Sequence, residues 1–123
     1  MSTCSEHSAI QAAAKAVLVD VASSIGPTDT ERTIAERATS LLSARGLTET
    51  WYYNCPALVL LGSRSCLSLS GRDYVPSDEP VGAFNSAVSF FTFEPHVRQA
   101  NGRWGFKHEE IYYFDSGHRL HAL

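Results

Sequence analysis

Apolar residues recur at helical spacing through Ile10, Ala14, Val17, Leu18, Val21 and Ile25, and Gly26-Pro27 ends the pattern, which predicts a first helix. A second stripe, Ile34, Ala35, Ala38, Leu41 and Leu42, predicts a second helix. Thr28 followed three residues later by Glu31 reads as its capping box, and Gly46 as its left-handed C-cap. Two amphipathic helices joined by a short turn cannot bury both stripes alone, so they need a further surface. The pattern then changes. Ala57 to Leu61 is a continuous apolar run, a buried strand, followed by a turn around Gly62 to Ser65 and an alternating strand with Leu67 and Leu69 on one face. "RDYVPSDEPVG" is a loop, because Pro76 and Pro80 remove backbone donors amid Ser, Asp and Gly. Strand character returns in "AVSFFTFEP", in "WGFKHEEIYYFD" after the "QANGR" turn, and in "HRLHAL" beyond Asp115-Ser116-Gly117. The order of two helices and then about five strands predicts an α+β fold, with the helices packed on one face of a mostly antiparallel sheet.

Composition narrows the picture. With 123 residues, 44% of them hydrophobic, the chain suffices for one globular domain spanning 1–123, and no repeat or composition shift divides it. A formal charge of -3 without any Lys/Arg-rich block argues against nucleic acid and anionic membrane as partners. No apolar stretch approaches the roughly 20 residues of a membrane span, and "MSTCSEHSAIQ" lacks a secretory pattern, so a cytoplasmic location is expected. Cys4, Cys55 and Cys66 have no CxxC spacing and read as reduced thiols, with a Cys55–Cys66 pairing left open if the two face each other in a hairpin.

Few residues carry recognisable chemistry. There is no G-x-S-x-G elbow and no Gly-rich phosphate loop, and the aromatics from Trp104 to Phe114 read as strand packing. Glu94 and Glu109 stand out, acidic residues set among aromatic strand positions; on residue type alone they are solvated carboxylates at strand rims. His96 would share a strand face with Glu94 if the strand continued through Pro95, giving a mixed His/carboxylate site suited to zinc or iron. Pro95 is expected to bend the strand and prevent this, and His108 to point away from the neighbouring Glu109. His118 and His121 are expected on opposite strand faces, and His7 in the first turn of a helix.

"ARGLTETWYYNCPALVLLGSRSCLSLSGRDYVPSDEPVGAFN" resembles the opening of the catalytic domain of the pita-bread metallopeptidases, the family of Xaa-Pro aminopeptidases, prolidases and methionine aminopeptidases. "FTFEPHVRQANGRWGFKHEEIYYFDSGHRLHAL" resembles that family's ending. The resemblance implies that Glu94 in "TFEP" and Glu109 in "KHEE" match two glutamate ligands of a divalent metal (Mn, Co or Zn), with a peptide as substrate. Two such cations about 3.5–4 Å apart need several carboxylates to offset their charge and ready a water for attack. The family's two aspartates and histidine would lie between these ends, where Asn85 instead passes directly into "SAVSFFTFEP". Asp73 also stands before Tyr74, where many members carry a histidine. The resemblance therefore implies a truncated pita-bread fold whose metal binding is weak or absent and whose activity is impaired. A different class of function is a non-catalytic interaction module. Apolar strand surface uncovered by the missing middle would favour a homodimer.

Overall fold

Ten residues, Ser89–Arg98, form the longest strand and carry most of the sheet's pairing. The computed structural model describes residues 3–50, 55–62, 64, 69–81, 89–98, 106–107, 110–114 and 120–122. Along these the elements are helices α1 (Thr3–Ser24) and α2 (Glu31–Ala44), then strands β1 (Glu49–Thr50), β2 (Ala57–Leu61), β3 (Ser89–Arg98), β4 (Phe106–Lys107), β5 (Glu110–Phe114) and β6 (Leu120–Ala122). The strands make one six-stranded sheet along the path β1-β3-β5-β6, with β2 and β4 also on β3, and every pairing is antiparallel. This is the α+β arrangement that the periodicities predict. No helix among the described residues is long and apolar enough to cross a membrane.

Pro95 marks the point where β3 changes partners. Phe91–Pro95 pair with β2 and Ser89–Phe93 with β5, whereas His96–Arg98 pair with β4 and β1. The strand runs on through the proline, and the amide of His96 donates to the Pro56 carbonyl at 2.9 Å. β1 is a pairing of two residues, too short to show alternation in the sequence, and is fastened by Arg98 to Glu49 at 2.8 Å directly across the ladder.

Alternation along β2 and β3 divides the apolar residues into two clusters. Ala57, Val59, Leu61 and Phe93 join Tyr112 beneath the helices, where Ala14, Val17, Leu18 and Val21 of α1 meet Ile34, Ala38 and Leu42 of α2. Leu58 and Leu60 lie on the opposite side with Cys55, packed by Leu69 and Tyr74. All five β2 residues are buried, which is why that stretch reads as an unbroken apolar run. Leu69 packs here from outside any strand, and the rest of the turn and strand expected around Ser65 to Leu67 lies outside the described residues.

The helix termini differ from expectation in an informative way. α1 begins well before Ile10, since a helix can extend beyond its buried stripe. The N-cap of α2 is Thr30, not Thr28: Thr30 Oγ1 accepts from the Thr33 amide at 3.1 Å while Thr33 Oγ1 accepts from the Thr30 amide at 2.9 Å. Asp29 is used for the connection instead, accepting from the Gly26 amide at 2.8 Å and from both terminal nitrogens of Arg37 at 2.6 and 3.2 Å. Gly46, with φ 79°, closes the helix in a Schellman arrangement: Leu47 N–H reaches Leu42 O at 3.0 Å and Gly46 N–H reaches Ser43 O at 3.0 Å.

Glu31, freed from the capping box, occupies the first turn of α2 with no exposure to solvent. Its Oε2 accepts from the Leu61 amide at 3.0 Å and Arg64 Nε at 2.8 Å, and its Oε1 accepts from the Ser77 amide at 3.0 Å. One carboxylate thus joins a helix start, a strand edge and the loop. The outer edge of β2 is completed by Tyr74, whose hydroxyl donates to Val59 O at 2.7 Å and receives the Val59 amide at 3.3 Å. Arg32 adds an exposed link from α2 to Asp78 of the same loop at 2.7 Å.

Removing the Glu31 side chain would leave the Arg64 charge and two amides without their acceptor. Glu31→Ala should therefore lower the stability measured by urea unfolding by about 3–5 kcal/mol, while Arg32→Ala should have a much smaller effect. A second prediction concerns acid. Burial pushes the Asp29 carboxyl up, but the Arg37 and Gly26 hydrogen bonds outweigh it and hold the group below its ordinary value of 3.8. A depressed folded-state value means that the contribution is fully present above about pH 4 and is lost as pH falls through the folded value. The stability difference between wild type and Asp29→Asn should accordingly shrink on acidification below that range.

Candidate functional site

Even-numbered positions of β3 carry the polar side chains that the sequence singles out. Glu94 and His96, two residues apart, project to the same side of the strand. In the register, Glu94 lies opposite Leu58, whereas the neighbouring Phe93 lies opposite Val59 of the core beneath the helices. Glu94 and His96 therefore belong to the sheet face opposite the helices, beside the cluster of Cys55, Leu58 and Leu60.

His96 is buried to 1% exposure and held at both ring nitrogens. Nε2 lies 2.5 Å from Glu94 Oε1, and Nδ1 lies 3.2 Å from the Cys55 carbonyl. The expectation that Pro95 would keep His96 from Glu94 is overturned: the continued ladder of β3 with β2, β4 and β1 holds the chain extended on both sides of the proline. Glu109 and His108 lie outside the described residues; in sequence Glu109 immediately precedes β5, which pairs with β3 as far as Phe93↔Glu110. His118 also lies outside them, whereas His121 of β6 stacks on Tyr113 of β5 with ring centroids 5.0 Å apart.

Cys55 enters this site unannounced by any sequence motif. It is buried with a free thiol, and burial, reinforced by the nearby Glu94 charge, pushes that thiol up to about 11. Such a thiol stays protonated near neutral pH and is a poor nucleophile. Tyr74 is likewise pushed up from its ordinary value, chiefly by burial, and serves the β2 edge. Asp73 faces solvent and accepts from Ser70 at 3.1 Å and Arg72 at 3.5 Å, which hold its carboxyl below the ordinary value. An open cavity of about 540 Å³ lies between α2 and this loop, touching Arg32, Glu36, Cys55, Arg72 and Tyr74; Glu94 and His96 are not among its described lining residues.

A dinuclear metal centre does not fit the described donors. Glu94 and His96 are hydrogen-bonded to each other, and no group of three or more His, Cys, Asp or Glu side chains that could hold a metal ion occurs among the described residues.

No family model matches the chain, and no curated protein matches it in sequence. In three dimensions it is similar to the dipeptidase PepE from Mycobacterium ulcerans, with a TM-score of 0.61 over 86% of this chain at 15% identity. It is also similar to an Xaa-Pro dipeptidase from Bacillus anthracis, with a TM-score of 0.57 over 94% of this chain at 18% identity. The fold is peptidase-like. The chain spans 24% and 29% of the lengths of those two proteins, so the likeness is to part of their architecture. That peptidase-like part is the α+β unit described above, consistent with a portion of a pita-bread fold.

The protected state of Cys55 can be checked directly. Iodoacetamide at neutral pH should leave Cys55 unmodified in the folded protein and alkylate it once urea is added, as read by mass spectrometry of the peptide that contains it.

Proposed function

We propose that this chain is a peptidase-type domain, descended from metal-dependent hydrolases of N-terminal peptide bonds of the Xaa-Pro type, in which Glu94 and Glu109 occupy two metal-carboxylate positions. Its own hydrolytic activity is impaired or absent. The observation that carries this reading is the likeness of nearly the whole chain to dipeptidase folds, combined with Glu94 on the sheet face opposite the helices. Supporting the second clause, Glu94 is engaged with His96, and the described residues supply no third converging donor. Two divalent ions held by so little negative charge would neither stay bound nor generate a hydroxide near neutral pH.

Hydrolysis of Xaa-Pro dipeptides, assayed with Mn²⁺, Co²⁺ or Zn²⁺ supplied, tests the proposal. The expected outcome is no turnover above that of a Glu94→Gln/Glu109→Gln control. Robust turnover that Glu109→Ala abolishes would contradict the clause on impaired activity, while leaving the peptidase descent in place.

A further inference from the structure

The open cavity between α2 and the 71–76 segment, at about 540 Å³, is of the size of pockets that take small organic ligands, roughly 300–1,000 Å³. Its deeper lining carries no charge. Cys55, Ala57 and Gly71 are buried there, and Ala35, Pro56 and Pro76 are half-buried. The Tyr74 hydroxyl is already spent on Val59, so Tyr74 offers the cavity its ring, and the Cys55 thiol stays protonated near neutral pH. Side-chain polarity elsewhere in this surface is limited to the Thr39 and Ser40 hydroxyls, of which Thr39 donates to Ala35 O at 2.8 Å.

Charge is confined to the two walls. α2 contributes Arg32 and Glu36, and the segment opposite contributes Arg72. Arg32 is committed elsewhere, its guanidinium donating to Asp78 at 2.7 and 3.4 Å and to Pro76 O at 3.2 Å. Glu36, exposed one turn further along α2, is held in no hydrogen bond among the described residues. The Arg72 side chain is 68% exposed, and its 3.5 Å contact with Asp73 is a surface pair of the kind that holds a guanidinium only weakly. One wall thus offers a carboxylate and the other a guanidinium, with largely apolar surface lining the rest.

We propose that this cavity binds a small zwitterion with an apolar body, the chemistry shared by free apolar amino acids and short apolar peptides, with its ammonium at Glu36 and its carboxylate at Arg72. A ligand of single charge would satisfy one wall and meet the other as a like charge: an anion would face Glu36, and a cation Arg72. The apolar body leaves water against the Tyr74 ring, Pro56 and Pro76. Glu94 and His96 are not among the described lining residues, and the site calls for no metal ion, so it stands apart from the proposed metal-carboxylate position.

Titration of the full chain with L-leucine and with Leu-Leu at neutral pH in the presence of a chelator, followed through amide ¹⁵N and ¹H chemical shifts, tests this. Saturable shifts should centre on residues 35–40 and 71–75, with a Kd on the order of 1 mM. Saturation by L-leucine makes a free amino acid sufficient; saturation by Leu-Leu alone makes the ligand a peptide. Acetylating the ammonium or amidating the carboxylate of the binding probe should each weaken it by about threefold, the worth of one exposed charge pair. Glu36→Gln should remove the cost of acetylation and leave that of amidation, and Arg72→Gln should do the reverse; both side chains are exposed, so both variants should fold as wild type does. No saturable shift with either probe up to about 10 mM, shifts centred outside the cavity, or capped probes that bind as well as free ones would overturn the proposal.

Discussion

A carboxylate with no water around it must be met by donors from every side, and Glu31 is met by the Leu61 amide, the Ser77 amide and Arg64. This constraint organises the molecule. Among the described residues β2 has a strand neighbour, β3, on one edge, and the Val59 and Leu61 amides on its other edge find their partners elsewhere. Glu31 supplies one at Leu61 and Tyr74 supplies both donor and acceptor at Val59. The first turn of a helix is a favourable place for such a negative charge, because the helix end itself presents positive partial charge. With the edge closed by side chains, both faces of β2 can be buried, and the loop that provides Tyr74 and Ser77 is held against α2.

The closed edge fixes where β2 sits, and β2 in turn fixes the environment of β3. Phe93 faces the helices with Val59, while Glu94 and His96 face away, and Cys55, two residues before β2, offers its carbonyl to the His96 ring. The same alternation that builds the core therefore presents the Glu94 carboxylate on the opposite side of the sheet. Solved dipeptidases have a similar fold over part of their length. In this chain the Glu94 carboxylate is hydrogen-bonded from within its own strand, by His96.

Much of the fold was legible because burial imposes periodicity. The stripes of α1 and α2, the unbroken apolar run of β2 and the Gly46 terminator all follow from local chemistry, and the α+β class follows from their order. The misplaced helix cap had a specific cause: Thr28 to Glu31 and Thr30 to Thr33 offer the same polar spacing, and the choice between them was made by partners distant in sequence, Leu61, Arg64 and Ser77. The site was harder to read for the same reason. Glu94 could be singled out, but its contact with His96 depends on cross-strand ladders that carry the chain straight through Pro95, and the role of Cys55 depends on the register of β2. No local signal encodes either. β1 shows the lower limit of such reasoning, since two residues are too few for a pattern.

The closure of the β2 edge can be tested in the unmodified protein by residue-resolved amide hydrogen exchange. By alternation Leu58 and Leu60 direct their amides to β3, whereas Val59 and Leu61 direct theirs to Tyr74 and Glu31. If side chains close that edge, Val59 and Leu61 will be protected to the same extent as Leu58 and Leu60. Rapid exchange at Val59 and Leu61, with protection confined to Leu58 and Leu60, would show that the edge is open and that Glu31 does not hold the fold together.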